Sequence, residues 1–292
     1  MSPKNAIPKN NNIVLPMRTV TTLFLITFCT FFVKAQPIDI GITIGSMAYN
    51  GDLSPRSPFD MVQQIRPAFG VFGRTSFSNR LSAKLMLNFG SVDGSDARGA
   101  YPDRGYQFES SIFEANLTGE LHLIRVRHSE ESFTFPYIFA GIGMFRFNPK
   151  AEIDGRLVEL QPLGTEGQGL PGYDAPYSLT QINFPMGVGV RFILNDHWSV
   201  SLEMGGRLLL TDYLDDVSDT RVRYRDIFEN RGPIAARLSN PSLPGNEPLD
   251  VTYRRGSGAR DWYYLGAIMV SYNFGEALRK AFRDPVPCYS KW

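Results

Sequence analysis

The sequence is poor in the residues on which most small exported folds and most enzymes depend. Two cysteines in 292 residues, Cys29 and Cys288, leave no disulfide framework. Three histidines, His122, His128 and His197, are few for metal or acid–base chemistry. Charge is nearly balanced, Lys+Arg 30 against Asp+Glu 29, so there is no basic field to hold a nucleic acid. No apolar run reaches the roughly 20 residues of a membrane helix. The longest apolar stretch, Leu23 to Val33, follows Arg18 and precedes the small-residue site Val33-Lys34-Ala35, the pattern of a secretory signal. Cleavage after Ala35 leaves one cysteine; bulky Thr27 and Phe28 before Cys29 argue against a lipoprotein.

Gly 27, Phe 21 and Tyr 13 are plentiful, a composition suited to curved, aromatic-girdled sheets. From Thr180 to Thr211 the chain alternates strictly around the turn Leu194–His197. Ile182, Phe184, Met186, Val188, Val190 and Phe192 share one face; Gln181, Asn183, Pro185, Gly187, Gly189 and Arg191 share the other. The next segment repeats this, with Trp198, Val200, Leu202, Met204, Leu208 and Leu210 opposite Ser199, Ser201, Glu203, Gly205 and Arg207. A period of two is extended strand. Both runs exceed the roughly five or six residues of an ordinary strand. A dry face opposite a charged one suits a barrel with lipid outside and a polar lumen inside.

Six further segments complete the set. They begin near Ile38, Pro67, Leu81, Phe113, Phe135 and Trp262. Phe113 to Leu123 is the cleanest alternation. Phe135 to Phe147 departs from it, since the face carrying Ile138, Ala140, Ile142 and Met144 is apolar too; a packed lumen or a protein partner are both open explanations. The connections run long, short, long, short, long, short, long. The spacing therefore predicts an all-β fold, an eight-stranded antiparallel transmembrane outer-membrane β-barrel with two long external loops, 149–178 and 213–260. A soluble sandwich is the alternative, but nothing would cover so many outward Phe, Leu and Ile rows. The domains expected are a signal peptide with an extension over 1–35, a barrel over 36–275 and a periplasmic tail over 276–292.

Asp39, Arg74, Lys84, Glu114, Glu120, Arg146, Arg191, Glu203 and Arg207 fall on the predicted inner face. Both signs occur, and eight strands leave an interior just wide enough for side chains, so a salt-bridged plug is expected rather than a pore. His197 lies near Ser199 and Ser201, but both serines read as inward polar positions, and no nucleophile–base pair stands out. The protein is expected not to be an enzyme and to hold no cofactor. Gly164 to Gly169 lacks the Lys-Ser/Thr of a phosphate loop. Asp212, Asp215, Asp216 and Asp219 bunch together, but not at calcium-loop spacing. Ca²⁺ binding stays open beside the simpler explanation, a solvated rim neutralised by Arg221, Arg223 and Arg225.

Specific loop motifs add a resemblance. Phe145-Arg146-Phe147-Asn148-Pro149, Leu160 to Gly169, Tyr177 to Ile182, Thr211 to Ser218 and Asp261-Trp262-Tyr263 are similar to those of the PorG-like outer-membrane component of the Bacteroidetes type IX secretion system. The resemblance spans about 41 to 274. It implies a non-enzymatic scaffold in the cell outer membrane, in contact with outer-membrane lipid and associated with a periplasmic ring of PorK-like lipoprotein and PorN-like protein. By motif position, the partner-binding candidates are Gln161, Leu163, Thr165, Glu166, Gln168, Asp212, Tyr213, Asp215 and Asp216, with Arg279, Lys280 and Arg283 in the tail. The alternative is a stand-alone surface barrel whose external loops bind a ligand or act as an adhesin.

Overall fold

The computed structural model describes residues 38–99, 101–129 and 132–274. The segment read as an export signal and the predicted tail, with Arg279, Lys280 and Arg283, lie outside the described residues. Eight long strands form one closed sheet: β1 Ile38–Asn50, β2 Arg66–Ser76, β3 Leu81–Ser95, β4 Gln107–His122, β5 Phe133–Ile153, β6 Thr180–Ile193, β7 Trp198–Leu209 and β8 Trp262–Asn273. Each pairs antiparallel with its neighbour in sequence, and β1 pairs with β8 to close the ring, with Ile44 opposite Ile268. Closure leaves the barrel strands no free edge. Among the described residues no helix is long and apolar enough to cross a membrane.

The outer wall is what makes this a transmembrane barrel. Ile38, Ile40, Ile42 and Ile44 on β1, Phe69 and Val71 on β2, Leu85, Leu87 and Phe89 on β3, and Phe113 and Leu117 on β4 are all exposed. Phe69, Phe89 and Phe113 stand side by side across three strands. At the short-turn rim Trp198, Tyr272 and Phe274 pack edge to face, with centroids 5.2 and 5.0 Å apart. Backbone groups in the wall are paired within the ladder, as hydrocarbon surroundings require.

The inward face of β5 explains why that strand breaks the polar-in, apolar-out pattern. Tyr137 and Phe139 point into the lumen, while Ile138, Ile142 and Met144 face out. Room for the rings comes from glycines across the sheet: Phe139 pairs with Gly187, which pairs with Gly205. A Cβ added at Gly205 would lie 2.6 Å from the Phe139 ring. The inward set is as predicted with one exception. Arg146 lies on the outer, exposed face, because Phe145 and Phe147 on either side of it are interior.

Both long loops hold more regular structure than the sequence suggests. The strand β5 runs through Pro149 to Ile153, turns at Asp154-Gly155, and pairs back with Arg156–Glu159. Both turn residues have positive φ, 51° and 73°, the type I′ hairpin geometry that Asp-Gly favours. Pro149 brings no N–H to this pairing, while its carbonyl accepts from the Leu160 N–H at 2.9 Å. In the second loop, Arg221–Arg223 pairs with Thr252–Arg254, and two short helices, Tyr224–Arg231 and Pro233–Ser239, meet at Gly232. Val222, Tyr224, Ile227, Ala235 and Ala236 give this piece its own small core. The β1–β2 connection contains the helix Pro58–Gln63.

Candidate functional site

Two polar assemblies occupy the molecule, one inside the barrel and one in the cap that the long loops build over its end. In the barrel, Arg74, Lys84, Arg191 and Arg207 are buried with Asp39, Glu114, Glu120 and Glu203. The four positive groups match four negative ones. Glu120 contacts Arg74 at 2.9 Å and Lys84 at 3.2 Å, and Lys84 also donates to Glu203. Glu203 accepts from the Tyr137 hydroxyl at 2.9 Å. Asp39 accepts from Arg191 and, at 2.7 Å, from Asn273. Glu114 gathers Arg207 at 3.2 Å, Asn88 at 2.7 Å and Tyr263 at 2.5 Å. Removing eight charges from water is costly unless each is paired and hydrogen-bonded, which these are. The strands impose the arrangement, since alternation places every second residue of each strand in a lumen of about side-chain width.

The loop motifs converge in the cap. Arg255, buried, donates to Thr165 Oγ1 at 2.6 Å, to the Asp216 carbonyl at 2.5 Å and to Asp216 Oδ2 at 3.1 Å. Glu166 lies 3.7 Å away and accepts from the Ser218 N–H and hydroxyl at 2.8 and 2.5 Å. Tyr177 donates to Asp216 Oδ1 at 2.7 Å, and Thr165 donates to Oδ2. Burial and the Asp216 carboxylate push the Tyr177 hydroxyl well above its usual range. The Arg255 guanidinium lies 5.0 Å from the Tyr106 ring centroid, a cation–π contact. Gly164 and Gly167, with φ of 60° and 82°, let the chain fold back so that Thr165 and Glu166 both point at this cation.

The cap is coupled to the plug. Phe145, Phe147, Tyr177 and Tyr213 stack in series, with centroids 5.4, 6.1 and 4.6 Å apart. Beside them Tyr49, the next-to-last residue of β1, places its hydroxyl 2.6 Å from Asp215 and 3.0 Å from Asp261. One phenolic hydrogen serves only one carboxylate, so the second contact needs a proton on a carboxyl. Burial pushes Asp261 up to about 7, and burial with the nearby Asp261 pushes Asp215 well above its usual range. Half-buried Asp212 is raised to about 8, chiefly by burial and then by Asp261 and Asp52.

The predicted site residues therefore divide. Thr165, Glu166, Gln168, Asp215 and Asp216 are buried, so these five side chains are committed to the cap interior rather than offered to a partner. Gln161, Leu163, Asp212 and Tyr213 are half-buried at its edge. The aspartate cluster splits: Asp215 joins Asp261, Asp216 joins Arg255, and exposed Asp219 lies 3.7 Å from Arg254. Arg254 and Arg255, not Arg221 to Arg225, are the neutralising cations, a long-range pairing that no local spacing reveals. No group of three or more His, Cys, Asp or Glu side chains among the described residues is disposed to hold a metal ion.

His122 faces the lumen near Glu120, as its position in β4 implies. Its Nε2 lies 3.4 Å from Ser82 Oγ and 3.8 Å from Glu120. A nucleophile–base relay needs serine and carboxylate on opposite ring nitrogens; here both share Nε2. Ser199 bonds Ser271 at 2.8 Å inside the barrel, away from His197, which stacks on Tyr272 at 5.3 Å.

Fold and site together define a transmembrane β-barrel with a filled interior and an ordered cap. The model of a family described as a domain of unknown function, DUF6089, matches residues 17–163, half of the sequence, and the chain belongs to that family. Solved structures similar to it include Neisserial surface protein A (7% identity, 81% of this chain and 97% of that one, TM-score 0.40). Others are the attachment invasion locus protein Ail of Yersinia pestis (9%, 82% and 100%, TM-score 0.34) and the outer membrane protein OprG from Pseudomonas aeruginosa (12%, 82% and 97%, TM-score 0.36). No curated protein matches the chain.

Proposed function

We propose that the protein is a non-enzymatic outer-membrane scaffold of the type IX secretion machinery, associating with the periplasmic ring of PorK-like and PorN-like proteins. The observation that carries the scaffold reading is the lumen, filled by four cations against four anions with their hydrogen-bonding partners. A barrel so plugged offers solutes no path, and its work falls to its surfaces. The loop motifs behind the type IX resemblance support the reading further. Leu160 to Gly169, Tyr177, Thr211 to Ser218 and Asp261 meet in one buried network, so the motifs that carry the resemblance together build the cap. On this reading the short turns and the tail face the periplasm, and the cap faces outward.

The second reading is a surface barrel whose cap binds a ligand. It is favoured by a cavity of about 260 Å³ in the cap, lined by Tyr106, Leu160, Val217, Leu238, Leu243 and Arg255 among others. A detergent pull-down of the tagged protein, with and without residues 276–292, separates the two. Recovery of the ring lipoprotein only with the tail supports docking from the periplasm, and recovery in both moves the docking surface to the barrel. Absence of ring proteins from a folded barrel overturns the scaffold reading.

A further inference from the structure

The apolar wall does not stop at the same height all round. On β3 and β4 the outward positions beyond Phe89 and Phe113 are polar, Ser91 and Ser111. On β1 the position beyond Ile44 is Ser46. On β2, between these strands, the outward series instead continues past Phe69 to Pro67 and Ile65, the latter 45% exposed. The chain then reaches the helix Pro58–Gln63, where Val62 is 64% and Phe59 86% exposed. Phe59 and Val62 are spaced three apart, the step that keeps residues on one side of a helix. Phe69, Pro67 and Ile65 are spaced two apart, the step that keeps them on one face of a strand.

This helix is held firmly. Ser57 Oγ caps its start, accepting from the Phe59 N–H at 3.2 Å. At its end the Gln64 N–H returns to the Met61 carbonyl at 3.1 Å, and the Gln64 side chain is wholly buried. Upstream, Leu53 is buried in the main core, and the Arg56 N–H bonds the Arg98 carbonyl of the next loop at 3.3 Å. A loop so anchored keeps its largest apolar side chains out by construction. Phe59 is more exposed than Phe69, Phe89 or Phe113 in the wall itself.

We infer that the helix Pro58–Gln63 is an interfacial anchor, with Phe59 and Val62 seated among lipid acyl chains at the cap-side surface of the bilayer. The occupant of this face is lipid because the face continues the hydrocarbon-covered wall without a polar break along β2. An apolar surface on a short helix lying at the bilayer boundary is the arrangement that interfacial helices use. Its consequence is positional: the anchor pins the β1–β2 connection, and with it the cap residues Asp52 and Leu53, at a set depth.

The test is site-directed spin labelling of the full chain with both cysteines replaced (Cys29→Ser, Cys288→Ser), carrying Phe59→Cys, Val62→Cys or Tyr101→Cys. Each is refolded into dimyristoylphosphatidylcholine vesicles, and folding is checked by the mobility shift of unboiled samples. Labels at 59 and 62 should collide with oxygen severalfold more than with a water-soluble nickel chelate. A label at Tyr101, exposed in the neighbouring loop, should show the reverse. Chelate accessibility at 59 and 62 equal to that at 101 overturns the proposal. So does protection of 59 and 62 from both reagents, which would put a protein surface there instead.

Discussion

Replacing Glu114 by leucine tests the plug most directly. Glu114 accepts from Arg207, Asn88 and Tyr263, all buried. The substitution leaves the Arg207 guanidinium in the interior with only the Gly205 carbonyl at 3.1 Å as a close acceptor. Breaking one side of a buried ion pair costs about 3–5 kcal/mol. With a urea slope of roughly 2 kcal/mol per molar, the unfolding midpoint should fall by about 2 M. Arg207→Met alone should cost a similar amount, because it strands the carboxylate. The double variant should recover most of the loss, since an apolar pair of similar volume is often no worse than the ions it replaces. The assay is equilibrium unfolding in lipid vesicles, followed by intrinsic Trp fluorescence and by mobility of unboiled samples. Additive single effects, with no coupling in the double-mutant cycle, would refute the claim that these charges form one paired network.

Three other predictions address the rest of the molecule. In planar bilayers the intact barrel should show no stable open level, whereas a steady conductance would contradict the filled lumen. The cap should be most resistant to limited proteolysis at mildly acidic pH. Asp215 and Asp261 bind protons more tightly folded than unfolded, so stability is lost as pH rises from about 4, the unfolded value, through about 7, where folded Asp261 titrates. Asp261→Asn should flatten that dependence; an unchanged pH profile would show that these carboxyls do not govern the cap. Gly167→Ala, at φ 82° and with its new Cβ 2.5 Å from the Tyr173 ring, should destabilise the cap by about 1–3 kcal/mol, read as faster cleavage within 161–170 while the barrel remains folded.

The barrel was legible in the sequence because its rule is local. Alternation along a strand states which side chains share a face, and a closed antiparallel sheet has only two faces. Eight strands, the turn at Leu194–His197 and eight of the nine predicted inward charges follow from that rule alone. Arg146 escaped it because β5 inverts the usual chemistry, with aromatics inside and aliphatics outside. The deciding partners, Gly187 and Gly205, lie on β6 and β7, and it is the pairing register of these strands that sets them beside Phe139. The cap was legible as motifs but not as an arrangement. Thr165, Asp216 and Arg255 are separated by tens of residues, and nothing in their spacing pairs them. Five of the residues read as partner-binding proved interior for this reason: their polarity serves one buried cation and a shared set of carboxyl protons. The strands and their two faces could be read from local order alone, because a period of two is written residue by residue. Which charge meets which emerged from the folded chain, because burial makes pairing obligatory and the folded loops supply the partner.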